Sequence, residues 1–415
     1  MRAAAVLALL LVRPASAIDD DSAALGLADK TLTQPAPVLD WHLFTEAAAS
    51  AAPARSGGAA EKLERLSFGA LYDAQVAPRW RAVFSDRLDA ASQQAPARRA
   101  VINTLQDGYL SWQPSSDRIA DLGRINTRYG VGYGFNPTDY FRTGAVRSIV
   151  SSDPESLREN RLGSVMARGQ AVWVDSSVTL VYSPKLATRP ASGAFDLDLG
   201  ATNDVDRALL VVSRRFSDQL TPQALVFGAA GEEPQIGLDL TAVPTDATVL
   251  HLEWSAGRSS SLLAQATALP ADTAFRSRLA AGFTFTTATK LSLILEYEYD
   301  GSALGARGWT ELARTSPGGY GVYRNYVAEV QDPPTRRRIF ARAFWQDAGI
   351  VHLDLSSYVF FDAIDRSRQA WFEARYHWPR LDLAVQWQHN SGSPFSEYGA
   401  LPQCCVTQLL ARYFL

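Results

Sequence analysis

The sequence predicts an all-β chain, a transmembrane antiparallel β-barrel of about sixteen strands, with roughly fourteen to eighteen admissible. Three observations predict it. Amphipathic stretches of about ten residues recur through the second half, each with apolar and polar residues on alternating positions. A short secretory leader precedes them, and an aromatic-rich alternating strand ends the chain. The clearest stretch is Lys290–Asp300, where Leu291, Leu293, Leu295, Tyr297 and Tyr299 share one face against Ser292, Glu296, Glu298 and Asp300. Composition agrees, because 47% of the 415 residues are hydrophobic while the mean hydropathy is only −0.10. Apolar residues are therefore dispersed by alternation and not gathered into spans, as a barrel wall requires.

Taken in order, Met1-Arg2 precede the apolar run Ala3–Val12 and then Ala15-Ser16-Ala17. This reads as a signal peptide over residues 1–17, with Ala15 and Ala17 as the small residues of the cleavage site. The run is shorter than the roughly 20 residues a membrane helix needs, so the mature chain is expected to leave the cytoplasm. Residues 18–64 are rich in Ala, Pro, Ser and Asp without sustained alternation, and are expected to form a periplasmic linker or lead-in segment. The barrel is expected over 65–415.

Within the wall, charge parity carries the argument. An Arg or Lys facing lipid at the bilayer midplane costs roughly 2–4 kcal/mol. Phe275, Leu279, Ala281, Phe283 and Phe285 oppose Arg276 and Arg278; Ile339, Ala341, Ala343 and Trp345 oppose Arg338 and Arg342. Ala370, Phe372 and Ala374 oppose Glu373 and Arg375. A shift of one residue would turn those charges into lipid. Trp112, Tyr129, Trp173, Tyr182, Trp254, Trp345, Trp371, Trp387 and Tyr413 are expected near strand ends, where interfacial girdles favour rings with one wet end. Read backward from the C-terminus, tight and long connections alternate, as short periplasmic turns and longer extracellular loops should. The two registers collide between residues 229 and 273.

The most distinctive local sequence runs Gly123-Arg124-Ile125-Asn126-Thr127-Arg128-Tyr129-Gly130, then Gly134-Phe135-Asn136-Pro137-Thr138-Asp139. Arg124, Asn126 and Arg128 fall on the polar phase of a strand that enters a long loop. Asn136-Pro137 and Asp153-Pro154-Glu155 each have a helix-start arrangement, predicting two short helices between 130 and 163. The segment 120–185 resembles an uncharacterised family of large outer-membrane barrels carrying a G-R…W-G…N-P-x-D stretch, with Tyr129 where that family has Trp. The final strand, Leu409 to Leu415, resembles the C-terminal signature of Gram-negative outer-membrane β-barrels, with Phe414 penultimate where Phe is usually last. These resemblances imply a porin-like barrel in the Gram-negative outer membrane, in contact with its lipid. They also imply delivery by periplasmic chaperones and the barrel-assembly machinery.

The function expected is a channel for diffusion or uptake of small polar or amphipathic solutes. The alternative is a non-conducting structural or surface-interaction barrel. Candidate pore-lining residues are Arg124, Asn126, Arg128, Arg276, Arg278, Glu296, Glu298, Arg338, Arg342, Glu373 and Arg375. The loop 130–163 is a candidate constriction through Asn136, Asp139, Arg142, Arg147, Asp153, Glu155 and Arg158, because mixed charges there would set a transverse field. An extracellular lid is the other reading of that loop. A net charge of −3 gives no reason to expect nucleic acid. No enzyme is expected: His251, His352 and His377 read as lumen wall residues, no metal-ligand spacing occurs, and no cofactor motif is present. Cys404 and Cys405 are adjacent, too close for an unstrained disulfide.

Overall fold

The computed structural model describes residues 41–57, 60–92, 100–191, 193–267 and 269–415. The leader, with Ala15 and Ala17, lies outside the described residues, as do 18–40. The described residues form one closed sheet of 18 strands, not sixteen. They are β1 (Trp41–Ala52), β2 (Glu61–Ala77), β3 (Trp80–Ala91), β4 (Val101–Ser115), β5 (Arg118–Ile125), β6 (Ser164–Val172), β7 (Ser176–Ser183), β8 (Arg207–Arg214) and β9 (Leu220–Ala229). The wall continues through β10 (Gln235–Thr245), β11 (Thr248–Ser259), β12 (Ala274–Thr286), β13 (Leu291–Asp300), β14 (Arg337–Trp345), β15 (Leu353–Asp362), β16 (Arg368–His377), β17 (Leu381–Ser391) and β18 (Cys405–Phe414). Each strand pairs antiparallel with its sequence neighbours, and β18 closes on β1 with Ala47 opposite Ala411. Closure leaves no sheet edge, so every wall amide can find a partner inside hydrocarbon.

Both strands missing from the expected count have a physical cause. The β9–β10 connection is only Ala230–Pro234, as short as a turn although it stands at the long-loop end. That is why the two registers collided near it. β1 lies inside the segment expected to be a linker, because alanines fill five of its 12 positions and blunt the hydrophobic alternation. It is nonetheless bonded on both sides, to β2 and β18.

Parity behaves as the lipid cost demands. Leu238, Leu250, Leu293, Leu295, Tyr297, Phe372, Val385 and Leu409 are exposed on the outside of the wall, and the charged residues between them turn inward. Outward-phase charges stand mostly at or near strand ends, as Arg214, Arg258, Arg337 and Arg368 do; Asp86, in the middle of β3, is an exception and accepts from Asn103 Nδ2 at 2.9 Å. At the short-turn end Trp41 packs on Tyr72, Trp80 stacks on Trp112, and Tyr376 meets Trp378, giving the aromatic band an interface favours. Two expected girdle members are elsewhere. Tyr129 lies in the loop after β5, and Trp371 faces inward, stacked on Tyr358.

The interior is filled unevenly. Ile125, Met166, Val181, Leu209, Leu225 and Phe227 make an inward apolar patch on β5–β9, capped by Tyr140 and Phe141 from the loop at 126–163. A second patch joins Phe340, Tyr358, Phe360 and Trp371 to Tyr398 of the β17–β18 loop. Over the long-loop end, two helices, Ala306–Thr315 and Pro317–Val330, pack around Trp309 and Tyr323.

Candidate functional site

The loop at 126–163 folds inward across the barrel instead of standing above it. Its anchor is a pair of wall carboxylates. Glu253 on β11 accepts hydrogen bonds from the amides of Val131 and Gly132, each 2.9 Å, and from Thr138 N at 2.6 Å. Glu296 on β13 accepts from Tyr133 N at 2.8 Å and from Gly134 N and Phe135 N at 3.1 Å. His251 Nε2 lies 3.0 Å from Glu296 Oε2, and Thr138 Oγ1 donates to Asp239 at 2.9 Å. Successive backbone N–H groups thus wrap two carboxylates as a nest wraps an anion.

Glycine makes that approach possible. A Cβ at Gly130 would run into the Glu253 carboxylate, one at Gly132 into the carbonyl of Phe135, and one at Gly134 into Glu298 and Phe340. Gly130 also sits at φ +96°, where a side chain is strained.

The loop then bridges to the other walls. Arg338, paired with Glu298 on the wall at 2.5 Å, donates to Gly134 O at 3.4 Å, and Arg342 holds Glu155 at 3.2 Å with Asp153 at 4.0 Å. Tyr358 donates to Ser152 O at 2.8 Å, and Arg65 on β2 donates to Val150 O at 3.1 Å. One short helix forms in the loop, α1 (Pro154–Glu159), capped by Asp153, whose Oδ2 accepts from Ser156 N at 3.1 Å. The other expected helix, after Asn136, does not form. Asn136 Nδ2 donates to Gly132 O and lies 3.3 Å from Glu253, and Thr138 is engaged by the wall, so neither serves a helix terminus.

Several expected site residues are braces, not lining. Asp139 pairs with Arg161 at 2.8 Å, both buried; Arg142 pairs with Asp332 of the β13–β14 loop and is buried. Arg158 donates back to Gly132 O and Tyr129 O, each 3.3 Å. Arg147 bonds Asn103 O at 2.8 Å and lies 3.4 Å from Asp198, tying the loop to the β7–β8 connection.

The phase assigned to 124–128 is inverted. β5 stops at Ile125, which faces the inner apolar patch. Arg124 shares the face of exposed Leu122, outside the wall, where its Nη2 donates to Leu197 O at 2.6 Å. Gly123, at φ +142°, precedes this turn-off. Asn126 and Arg128 belong to the loop; Asn126 Nδ2 donates to Arg158 O at 3.0 Å. Arg276 and Arg278 keep the inward phase near the long-loop end, bonded to Asp272 at 3.0 Å and Gln235 at 2.7 Å. Glu373 and Arg375 pair with each other at 2.9 Å on the inner face of β16. Of the histidines, His251 and His377 face inward, but His352 sits at φ +71° in the β14–β15 turn. The thiols of Cys404 and Cys405 stand 3.5 Å apart.

What remains between loop and wall is a charged gap. Glu159 on α1 is enclosed by protein, yet its side chain is 43% accessible, and Arg128 beside it, 3.9 Å away, is 44% accessible. Arg412 on β18 faces them within electrostatic reach and is 29% accessible. These three charged side chains therefore stay accessible inside the closed barrel, between the loop and the wall. Behind Arg412 lies a cluster that sequence reading missed. Glu46 accepts from Arg65 and Arg87 at 2.8 Å and from Arg412 at 2.7 Å, and Asp89 takes the other side of Arg87 at 2.9 Å. Its sequence signal was a lone Glu in an alanine strand. Burial pushes the Glu159 carboxyl above its usual range; Glu155 and Asp153 add to that, and Arg128 and Arg412 oppose it.

No family model matches the chain, so the resemblance drawn from 120–185 finds no counterpart there, and no curated protein matches it. Solved structures do. Acinetobacter baumannii OccAB1 superposes with a TM-score of 0.58 at 10% identity, over 93% of this chain and 98% of that one. Pseudomonas aeruginosa OccK2 (OpdF), in complex with glucuronate, gives 0.56 at 11% identity, over 91% and 97%. The Pseudomonas aeruginosa outer membrane protein opdK gives 0.55 at 9% identity, over 91% and 99%. At such identities the likeness is one of fold: the chain is a closed antiparallel barrel built like those outer-membrane proteins.

Proposed function

We propose that this protein is an outer-membrane channel for small polar solutes, with its short turns toward the periplasm and its passage narrowed by the loop at 126–163. One observation carries the reading: Glu159 on the loop stands within electrostatic reach of Arg412 on the wall, and both side chains are accessible inside a closed barrel. Opposite charges on the two sides of a constriction impose a transverse field that sorts solutes by charge and size. Three arginines gathered on Glu46 leave the β18–β3 side of the lumen with surplus positive charge, offset in part by Asp89. The glucuronate bound by one fold neighbour is a small organic acid, and that surplus suits solutes of the same sign.

Single-channel recording in planar bilayers tests this. Folded protein should give stable unitary steps, and Arg412→Ala should shift the permeability ratio toward cations. The second reading, a non-conducting barrel, is favoured by how much of the lumen the docked loop occupies. Persistent silence from folded protein would establish it.

A further inference from the structure

Beside the charged gap, at the long-loop end, lies a cavity of about 290 Å³ between the loop residues 149–152 and the inner face of β1, β2 and β16–β18. Its chemistry differs from the rest of the lumen. Gln386, Gln408 and Ser50 occupy one register row across three adjacent strands, β17, β18 and β1, with Gln388 one step further out on β17. The carboxamide of Gln408 has no hydrogen-bond partner among the described residues. Gln386 and Gln388 commit their Nε2 groups, to Glu373 at 2.5 Å and Asn390 at 3.1 Å, which leaves each Oε1 free to accept. Gln403, on the far rim, is fixed through Nε2 to Glu61 at 2.9 Å. The charged groups at the edge are already engaged, Glu61 by Gln403 and Arg65 by Glu46 and Val150 O. Between the amides the floor is aliphatic, from Ala48, Leu63 and Val406.

We propose that this cavity is a binding station for an uncharged polyhydroxylated solute, or for the uncharged polyhydroxylated part of one, of monosaccharide size. Hydroxyl groups both donate and accept, as do carboxamides, and a sugar ring offers a C–H face to the aliphatic floor. A charged solute would find no free counter-charge here, and a purely apolar one would strand the amides without partners. The volume sits at the lower end of ligand pockets, about 300 Å³, which admits one ring and not an oligosaccharide. The station deepens the channel reading and rests on it for its purpose, because a solute held there stands just outside the charged gap.

The test separates the two ideas. Saturation-transfer NMR on the detergent-solubilised full chain with glucose as probe reports binding whether or not the barrel conducts. Glucose protons should receive saturation, and an excess of a neutral cyclic ether of similar size should not displace it. The double variant Gln388→Leu, Gln408→Leu preserves volume and should weaken glucose roughly tenfold or more, the scale of one or two lost hydrogen bonds. Its fold is checked by the shift in gel mobility on heating that intact barrels show. Equal saturation in wild type and double variant, equal competition by the ether, or no saturation in the wild type would overturn the proposal. Silence in bilayers with glucose still bound would remove the channel reading and leave the station standing.

Discussion

Gly130, Gly132 and Gly134 do at single residues what positions the whole loop: they let backbone amides reach two carboxylates that belong to the wall. Glu296→Ala removes the acceptor of three amides at once and should free the segment 133–135. Hydrogen bonds to charged groups contribute about 1.5–3 kcal/mol each, less whatever water restores, so a stability loss of about 2–4 kcal/mol is expected in thermal unfolding. Bilayer recordings should show larger and noisier unitary currents. Gly134→Ala should reproduce the noise with the carboxylate intact, because its Cβ meets Glu298 and Phe340. Unchanged currents in both variants would mean the loop is held elsewhere. The glycine spacing was legible in the sequence, and so was the inward phase of Glu296. Their partnership was not, because it joins positions more than 160 residues apart in the chain.

At the scale of elements, strands with charges on one phase could be read and strands without them could not. β13 and β16 announce their faces through Glu296, Glu298, Glu373 and Arg375. In β8 the run Leu209-Leu210-Val211-Val212 erases the alternation, since both faces are apolar, one toward lipid and one toward the loop. That run is the signal that could have revealed where the loop docks. β5 misled by an opposite route: its arginine stands on the outer phase, satisfied by the neighbouring loop and not by the lumen. Arg124→Ala should therefore leave conductance and ion selectivity unaltered and cost about 1–2 kcal/mol in unfolding. A selectivity change as large as that of Arg412→Ala would return Arg124 to the lumen.

The whole molecule combines a lipid belt nearly free of charge with an interior whose charge responds to acid. The charged groups that act most on Glu159 are Glu155 and Asp153 from the loop, Arg128 at its base, and Arg412 from β18. Burial holds the Glu159 carboxyl above the usual carboxylate range, so as pH falls it takes up its proton before an ordinary surface acid does. Asp153 is raised by burial as well. The arginines stay charged throughout, so acidification subtracts negative charge from one side of the gap and leaves the positive side intact. Reversal potentials across a salt gradient should consequently move toward anion selectivity as pH is lowered from 7 through the weakly acidic range. Glu159→Gln should already show the acid-limit selectivity at pH 7 and respond little to further acid. If instead the variant titrates as steeply as the wild type, other carboxylates set the field, and the gap between α1 and β18 is not where ions are sorted.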